Sequence, residues 1–311
     1  MTNKIKVSVC VVTYNQEEYI AECLQSLVDQ ECDFEFEIIV GEDCSTDNTK
    51  QVVEEFFKQY PDKIIKNFHK KNVGAVENII STYKMARGEY ICHLDGDDYA
   101  LPSKLQQQFD ALEQNPDCVI CSHDMLLVDK KGTQLPRTFR KHEKNINTLT
   151  DLYAQLPFFA HSSKMFVNDL SDDFWSELHP EALDIEVHVK QVEKGNIYHL
   201  DRPLGVYRVF SGISSITSGI NPLVVQGSVR IFESAVRSSI VDREYVDYCY
   251  AKMMFEYAYQ SALLGDKKKL VSYIKKSLEI SKYSKLQVIF RFLSKSPSLV
   301  ILLCKFREKY L

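Results

Sequence analysis

Tyr90-Ile91-Cys92-His93-Leu94-Asp95-Gly96-Asp97-Asp98 is the stretch on which the reading of this chain turns. Its first five residues form the apolar run of a buried strand. Three carboxylates then fall within four positions, Asp95 to Asp98, where that strand must end. Crowded carboxylates repel one another unless a cation or a ring of donors compensates them. Hard oxygen ligands of this kind suit Mg²⁺ or Mn²⁺, ions that usually also hold phosphate oxygens. The plainer alternative is an acidic turn capping a helix near Ser103, since Asp and Gly are common turn residues.

Upstream of this stretch, strand and helix patterns alternate. Residues 7–12 are a β-branched run ending at Thr13-Tyr14-Asn15, followed by Tyr19, Ile20, Cys23, Leu24, Leu27 and Val28 at helical spacing. Residues 36–40 predict a second strand, ending at Gly41-Glu42-Asp43. A helix over 47–60 stops at Pro61, a third strand covers 63–69, and a helix over 75–86 closes at Gly88. A helix over 103–114 follows the acids. This alternation predicts an α/β protein with a doubly wound, mostly parallel sheet. Ligands of such sheets bind beyond the carboxyl ends of the strands. Three of those ends carry polar groups, so the acids gain company where a ligand would sit.

Beyond Cys118 the pattern loosens. Strands are expected over 119–122, 125–128, 162–167 and 197–200, and a helix over 181–194. From Pro222 the chain reads as helical, with an antiparallel pair over 244–264 and 267–281 turned at Gly265-Asp266. The expected organisation is a domain over 1–220, split into a nucleotide-binding half (1–100) and an acceptor half (101–220), and a helical appendage over 221–311.

The composition is that of a soluble globular protein, 45% apolar and 26% charged. Nine irregularly spaced cysteines and the lack of a leader pattern fit free thiols in a cytoplasm. The net charge of −5 hides an asymmetry: residues 265–311 carry 12 Lys/Arg against 3 Asp/Glu, a net of +9, which leaves −14 for the rest. An acidic body speaks against nucleic acid, and a basic tail points to an anionic surface. In that tail, apolar residues from Leu286 to Leu293 and from Leu299 to Leu303 interleave with Lys285, Arg291, Lys295, Lys305, Arg307 and Lys309. Two readings stand open: an interfacial helix on anionic lipid, peripheral to a membrane, or a helix pair packed on the catalytic domain with a solvated basic face.

Several segments together resemble the family 2 glycosyltransferases of the GT-A fold. They are the run from Val9 to Ile20, Val40-Gly41-Glu42-Asp43-Cys44-Ser45-Thr46-Asp47-Asn48-Thr49, Asn72-x-Gly74-x-x-x-Asn78, and Ala86-Arg87-Gly88-Glu89-Tyr90-Ile91. Asp95-Gly96-Asp97-Asp98 resembles the family's metal-binding DxD, and Leu183-Asp184 with Pro203-Leu204-x-x-Tyr207-Arg208 resembles its acceptor half. The likeness covers about residues 4–215. Departures are Cys44 where the family usually has Gly, Leu183 where Glu often precedes the base, and Phe210 where a His is common. If Cys44 must take positive φ, it is strained.

The resemblance implies an inverting, metal-dependent transfer of a sugar from a nucleotide-sugar, by family habit a UDP-sugar. The acceptor would be a hydroxyl of a glycan or a polyprenyl-linked glycan, in surface polysaccharide (O-antigen or capsule type) synthesis. It assigns donor binding to Thr13, Tyr14, Asn15, Glu17, Asp43, Asp95 and Arg208. Mn²⁺ or Mg²⁺ would be held by Asp97 with Asp95 and Asp98, and Asp184 would be the general base, with Glu186 as rival. Plainer roles stand beside these: a core aromatic for Tyr14, a solvated helix residue for Glu17, an N-cap for Asp43, helix-end charge matching for Asp184 and an internal ion pair for Arg208. His69, His93, His123 and His161 show no metal-ligand spacing and read as structural. Rival functions are a non-catalytic sugar-nucleotide or glycan-binding module, and a metal-dependent phosphatase or nucleotidyltransferase.

Overall fold

The computed structural model describes residues 4–139, 142–209 and 220–310; Phe210 and the Lys309 side chain lie outside that set. The chain divides into two compact units, Met1–Ser215 and Ile216–Leu311.

The first unit is organised by its β-branched runs. Val7–Thr13 (β1) lies between Phe36–Glu42 (β2) and Tyr90–Asp95 (β4), parallel to both, and Ile64–Phe68 (β3) extends the parallel order beyond β2. Ile20–Val28 (α1) buries Ile20, Cys23, Leu24 and Leu27 in the core that includes Val9, Val11, Ile38, Val40 and Leu94. Burying each Leu or Ile side chain stabilises by about 1.5–3 kcal/mol, so this stripe alone fixes α1 on the sheet. Thr49–Gln59 (α2) and Ala75–Tyr83 (α3) complete the alternation.

Past β4, antiparallel pairings are interleaved. Tyr99–Ala100 (β5), Lys104–Gln114 (α4), Cys118–Val128 (β6), Gln134–Thr138 (β7), Ile146–Asn147 (β8) and Leu149–Ala154 (α5) come first. A 3₁₀ turn at His161–Ser163, Met165–Val167 (β9), Asp172–Ser176 (α6), Asp184–Val192 (α7) and Asn196–Arg208 (β10) follow. The main path through the ten-stranded sheet runs β3-β2-β1-β4-β9-β6-β10-β5. β9 is antiparallel to both β4 and β6, so the parallel order expected from the first half does not persist through the second.

Several expected elements differ in extent, among them the helix expected over 181–194, which is Asp184–Val192. The strands expected over 119–122 and 125–128 are one strand, β6. The polar residues at their junction are held by β10: Ser122 Oγ is 2.9 Å from His199 Nδ1, and Asp124 Oδ1 is 3.1 Å from His199 Nε2. The strand expected over 197–200 continues through Pro203 to Arg208, absorbing the proline at register shifts on either side of it. The strand expected over 162–167 is β9 alone, because Ser162 and Ser163 belong to the 3₁₀ turn.

The second unit is helical. Pro222–Ser238 (α8), Arg243–Leu264 (α9), Lys267–Ile280 (α10), Lys285–Leu293 (α11) and Pro297–Tyr310 (α12) follow in order. Gly265 (φ 81°) supplies the left-handed C-cap of α9, and Asp266 caps α10 by accepting from Lys269 N. One apolar cluster joins Phe255, Ala258 and Ala262 of α9, Leu270 and Ile274 of α10, Phe290 of α11, and Val300 and Cys304 of α12.

Candidate active site

The parallel register brings the polar ends of β1, β2 and β4 side by side. Thr13 pairs with Glu42, and Val12 with Asp95. Asp43 N donates to Thr13 O (3.1 Å) and Gly96 N to Val12 O (2.9 Å), so all three ends are stitched together. Gly96 is required by this closeness: a Cβ there would lie 2.6 Å from Gln16 Oε1 and 2.8 Å from Thr13 Cβ.

The loops after β1 and β2 brace each other. Asn15 (φ 52°) accepts at Oδ1 from Thr46 N (2.8 Å), and its own N–H donates to Ser45 Oγ (3.0 Å). Glu17 Oε2 accepts from Asn48 N (2.9 Å) and Nδ2 (2.7 Å), so this carboxylate is neither a bare ligand nor simply solvated. The Thr13 hydroxyl donates to Gln16 Oε1 (2.8 Å). Tyr14 is 41% exposed, which rules out the core-aromatic reading. Asp43 is buried, and its carboxylate accepts from Val73 N (2.7 Å) and Gly74 N (2.9 Å), which ties down the loop before α3 rather than capping α2. A carboxylate has about four acceptor sites, so Asp43 keeps capacity for a further donor. Cys44 takes φ 58°, the conformation in which glycine was expected.

The turn after β4 is built differently. Asp98 is buried; its Oδ1 accepts from Arg208 N (2.8 Å), while Oδ2 is buried with no hydrogen-bond partner. Burial, and then the charges of Asp97 and Asp95, push the Asp98 carboxyl well above the usual range, against the smaller pull of Ser162 and the Arg208 N–H. Desolvation also acts on Asp95, but hydrogen bonds from His93 (Nε2 to Oδ1, 3.1 Å) and Ser162 (Oγ to Oδ2, 3.2 Å), with the Lys164 charge, hold it below its ordinary value. An orphaned buried oxygen beside two further carboxylates is a donor set that fits a hard divalent cation.

Arg208 meets the acid turn and the helix behind it. Its Nε donates to Asp97 O (3.1 Å) and its guanidinium to Glu22 Oε2 (2.7 Å), with the Tyr19 ring 4.5 Å below. The residue therefore shapes the acid turn from behind.

Asp184 opens α7, with Asp95 near enough to act on it. Burial first, and then the Asp95 charge, raise its carboxyl, while the Ile185 N–H, Lys164 and His93 pull it down. Glu186, the rival base, accepts from Leu183 N (2.9 Å) and so closes the start of the helix.

Several residues here escaped the sequence. Lys164 is fully buried, with Nζ 3.2 Å from Gln191 Oε1 and 4.5 Å over the Phe166 ring. Burial lowers its ammonium to about 7, against the pull of Asp184 and Asp95. Lys104, equally buried, donates to Ser162 O (3.1 Å) beneath the turn. His93 and His161, read as structural, lie with Asp95 so that one ligand atom from each falls within 4.8 Å of the others. The two rings are stacked at 3.6 Å and 13°, so their in-plane lone pairs do not converge on one point. Tyr83 OH meets His93 Nδ1 at 2.9 Å and His161 Nε2 at 3.3 Å, and the group reads as a hydrogen-bonded bed under Asp95. No sequence signal marks the hydrogen bonds of Tyr83 and Lys104, whose partners are 10–78 positions away.

Comparison with known proteins agrees with this architecture. Uncharacterized proteins of Mycobacterium bovis and Mycobacterium tuberculosis are 29% identical over 207 residues, 65% of this chain, which spans only 58% of their length. The putative glycosyltransferase EpsH of Bacillus subtilis is 28% identical over 277 residues, 86% of this chain and 72% of its own. The crystal structure of S. aureus TarS 1-349 in complex with UDP-GlcNAc superposes with a TM-score of 0.71 at 20% identity, covering 98% of this chain and 92% of that one, a likeness of fold. The sequence profile described as Glycosyl transferase family 2 matches residues 8–175, more than half of the chain. With the GT-A architecture already in view, that match is decisive: this chain belongs to glycosyl transferase family 2.

Proposed function

We propose that the protein is an inverting glycosyltransferase that moves a sugar from a nucleotide-sugar to a hydroxyl of a glycan or polyprenyl-linked glycan in surface polysaccharide synthesis. The observation that carries this reading is the pairing of an undercompensated acid turn, with Asp98 Oδ2 orphaned, and a raised Asp184 carboxyl acted on by Asp95. A UDP-sugar is the first donor to consider, since TarS was solved with UDP-GlcNAc.

Thr13, Tyr14 and Asn15 line the base, and Asp43 accepts from the uracil ring N–H with its remaining acceptor capacity. Asp95 approaches the ribose. Asp97, with Asp95 and Asp98, would hold Mn²⁺ or Mg²⁺. When bound, such an ion neutralises charge on the departing diphosphate. Asp184 accepts the proton of the acceptor hydroxyl as that oxygen attacks the anomeric carbon. Attack from the face opposite the diphosphate forms the new C–O bond, breaks the old one and inverts the configuration. A base with a raised pKa suits this task, because it binds the transferred proton more firmly. Arg208 contributes by fixing the backbone of Asp97 and Asp98.

The test is nucleotide-sugar consumption by the purified chain across UDP-, GDP- and dTDP-sugars with Mn²⁺. UDP-sugars should be consumed, and Asp184→Ala should lower turnover by about 10²–10⁴-fold. Unchanged turnover in that variant removes Asp184 as base, and equal turnover with chelator removes the cation.

A further inference from the structure

The outer faces of α11 and α12 are apolar where a solvated helix would be polar. On α11, Leu286 (45% exposed), Ile289 (50%) and Phe292 (67%) point outward, while Gln287 and Phe290 point in. On α12, Leu299, Leu302 (65%), Leu303 and Phe306 point outward, opposite the buried Val300 and Cys304. At about 100° per residue, the four outer residues of α12 fall within an arc of roughly 100°. Lys305 and Arg307 flank that arc about 100° to either side of its centre, and Lys285 lies within the outer stripe of α11. The inner faces are already used by the cluster shared with α9 and α10, so the outer stripes are not what holds the unit together.

We propose that this paired surface docks in the interface of an anionic lipid bilayer, with the apolar stripes at the headgroup–acyl boundary and the flanking cations on lipid phosphates. Charge selects this occupant. Residues 285–311 carry six Lys/Arg and one Asp/Glu, a net of +5. A second copy would bring the same cations face to face, whereas an anionic headgroup layer complements them. None of the described helices is long and apolar enough to cross a membrane, so the contact is one of lying on the surface. The inference deepens the proposal of a lipid-linked acceptor but does not require it.

The experiment is sedimentation of the full chain with phosphatidylcholine vesicles and with vesicles containing phosphatidylglycerol. Binding to the anionic vesicles alone, weakening with salt, is expected. Phe292→Ser with Leu302→Ser should lower partitioning about tenfold or more, and Lys285→Ala or Lys305→Ala about fivefold each, the equivalent of about 1 kcal/mol per cation. These side chains are exposed, so thermal melting should be unchanged, and it is measured alongside. Equal binding to both vesicle types, or none to either, overturns the proposal. So does light scattering that shows a concentration-dependent dimer broken by the same pair of substitutions. Donor hydrolysis in solution should be unaffected by all these variants, so failure here is distinct from failure at the catalytic site.

Discussion

The loops after β1 and β2 and the turn after β4 are neighbours built on the same kind of strand end, yet most acids of the loops are braced by backbone N–H groups while those of the turn crowd one another. In the first region Asn15, Glu17 and Asp47 accept from backbone N–H groups of the facing loop and Asp43 from the loop before α3, while Glu42 accepts at Oε1 from Ser45 N (2.6 Å) and keeps only its Oε2 buried without a partner. In the second, Asp98 keeps a buried oxygen without a partner, and its carboxyl and that of Asp184 are raised by burial and by their acidic neighbours. An acid whose hydrogen bonds are complete shapes the backbone. An acid left in want of a counter-charge stores unfavourable energy that a bound cation or a transferred proton relieves.

Substitutions at the two regions should therefore separate activity from stability. The largest effect is expected at the acid turn. Asp98→Asn should abolish turnover while raising Tm in chelator-treated protein by about 2–4 °C, the shift of ~1 kcal/mol in a domain of this size. The sign follows from linkage. An Asp whose folded pKa is raised costs stability once the pH exceeds its unfolded value, and at neutral pH the amide removes that cost. A lower Tm would break the comparison, by showing that the charge is compensated after all.

Lys164→Met should come next. Lys164 lowers the Asp184 carboxyl, so removing it raises that carboxyl further. The acid limb of the turnover profile should then move to higher pH, with the loss greatest at the acid end of the profile. A uniform loss at every pH would make Lys164 a packing residue only.

Glu17→Gln tests the bracing side. Loss of the charge-assisted bonds from Asn48 should cost about 1–2 kcal/mol of stability, with turnover reduced less than tenfold, roughly what such a loss gives at most. A steep rise in donor KM at unchanged stability would instead make Glu17 a ligand. The smallest change is Cys44→Gly. Relief of the left-handed conformation at φ 58° should stabilise by about 0.5–1 kcal/mol, net of the added freedom of the unfolded chain. Urea titration reads both.

Much of the first unit was legible because its signals are local. The apolar runs of β1, β2 and β4 and the Ile20–Leu27 stripe each carry their period within a dozen residues. The acids stand out because three fall in one turn. The second half of the sheet was read less well, since β6 and β10 continue through polar and proline positions that only their pairing supports. The tail was legible as basic and apolar, but which apolar residues face outward depends on how α11 and α12 meet α9 and α10.

By itself the sequence determined the alternation of strands and helices, the parallel character of the first half of the sheet and the identity of the acids at the strand ends, because periodicity and turn chemistry act between near neighbours. Only the tertiary structure decided which of those acids are satisfied. Asp43 meets Val73 and Gly74 thirty residues on, Asp95 meets Ser162, and Lys164 is enclosed with Gln191. A carboxylate's protonation, and with it its chemistry, depends on the burial and partners that distant segments supply.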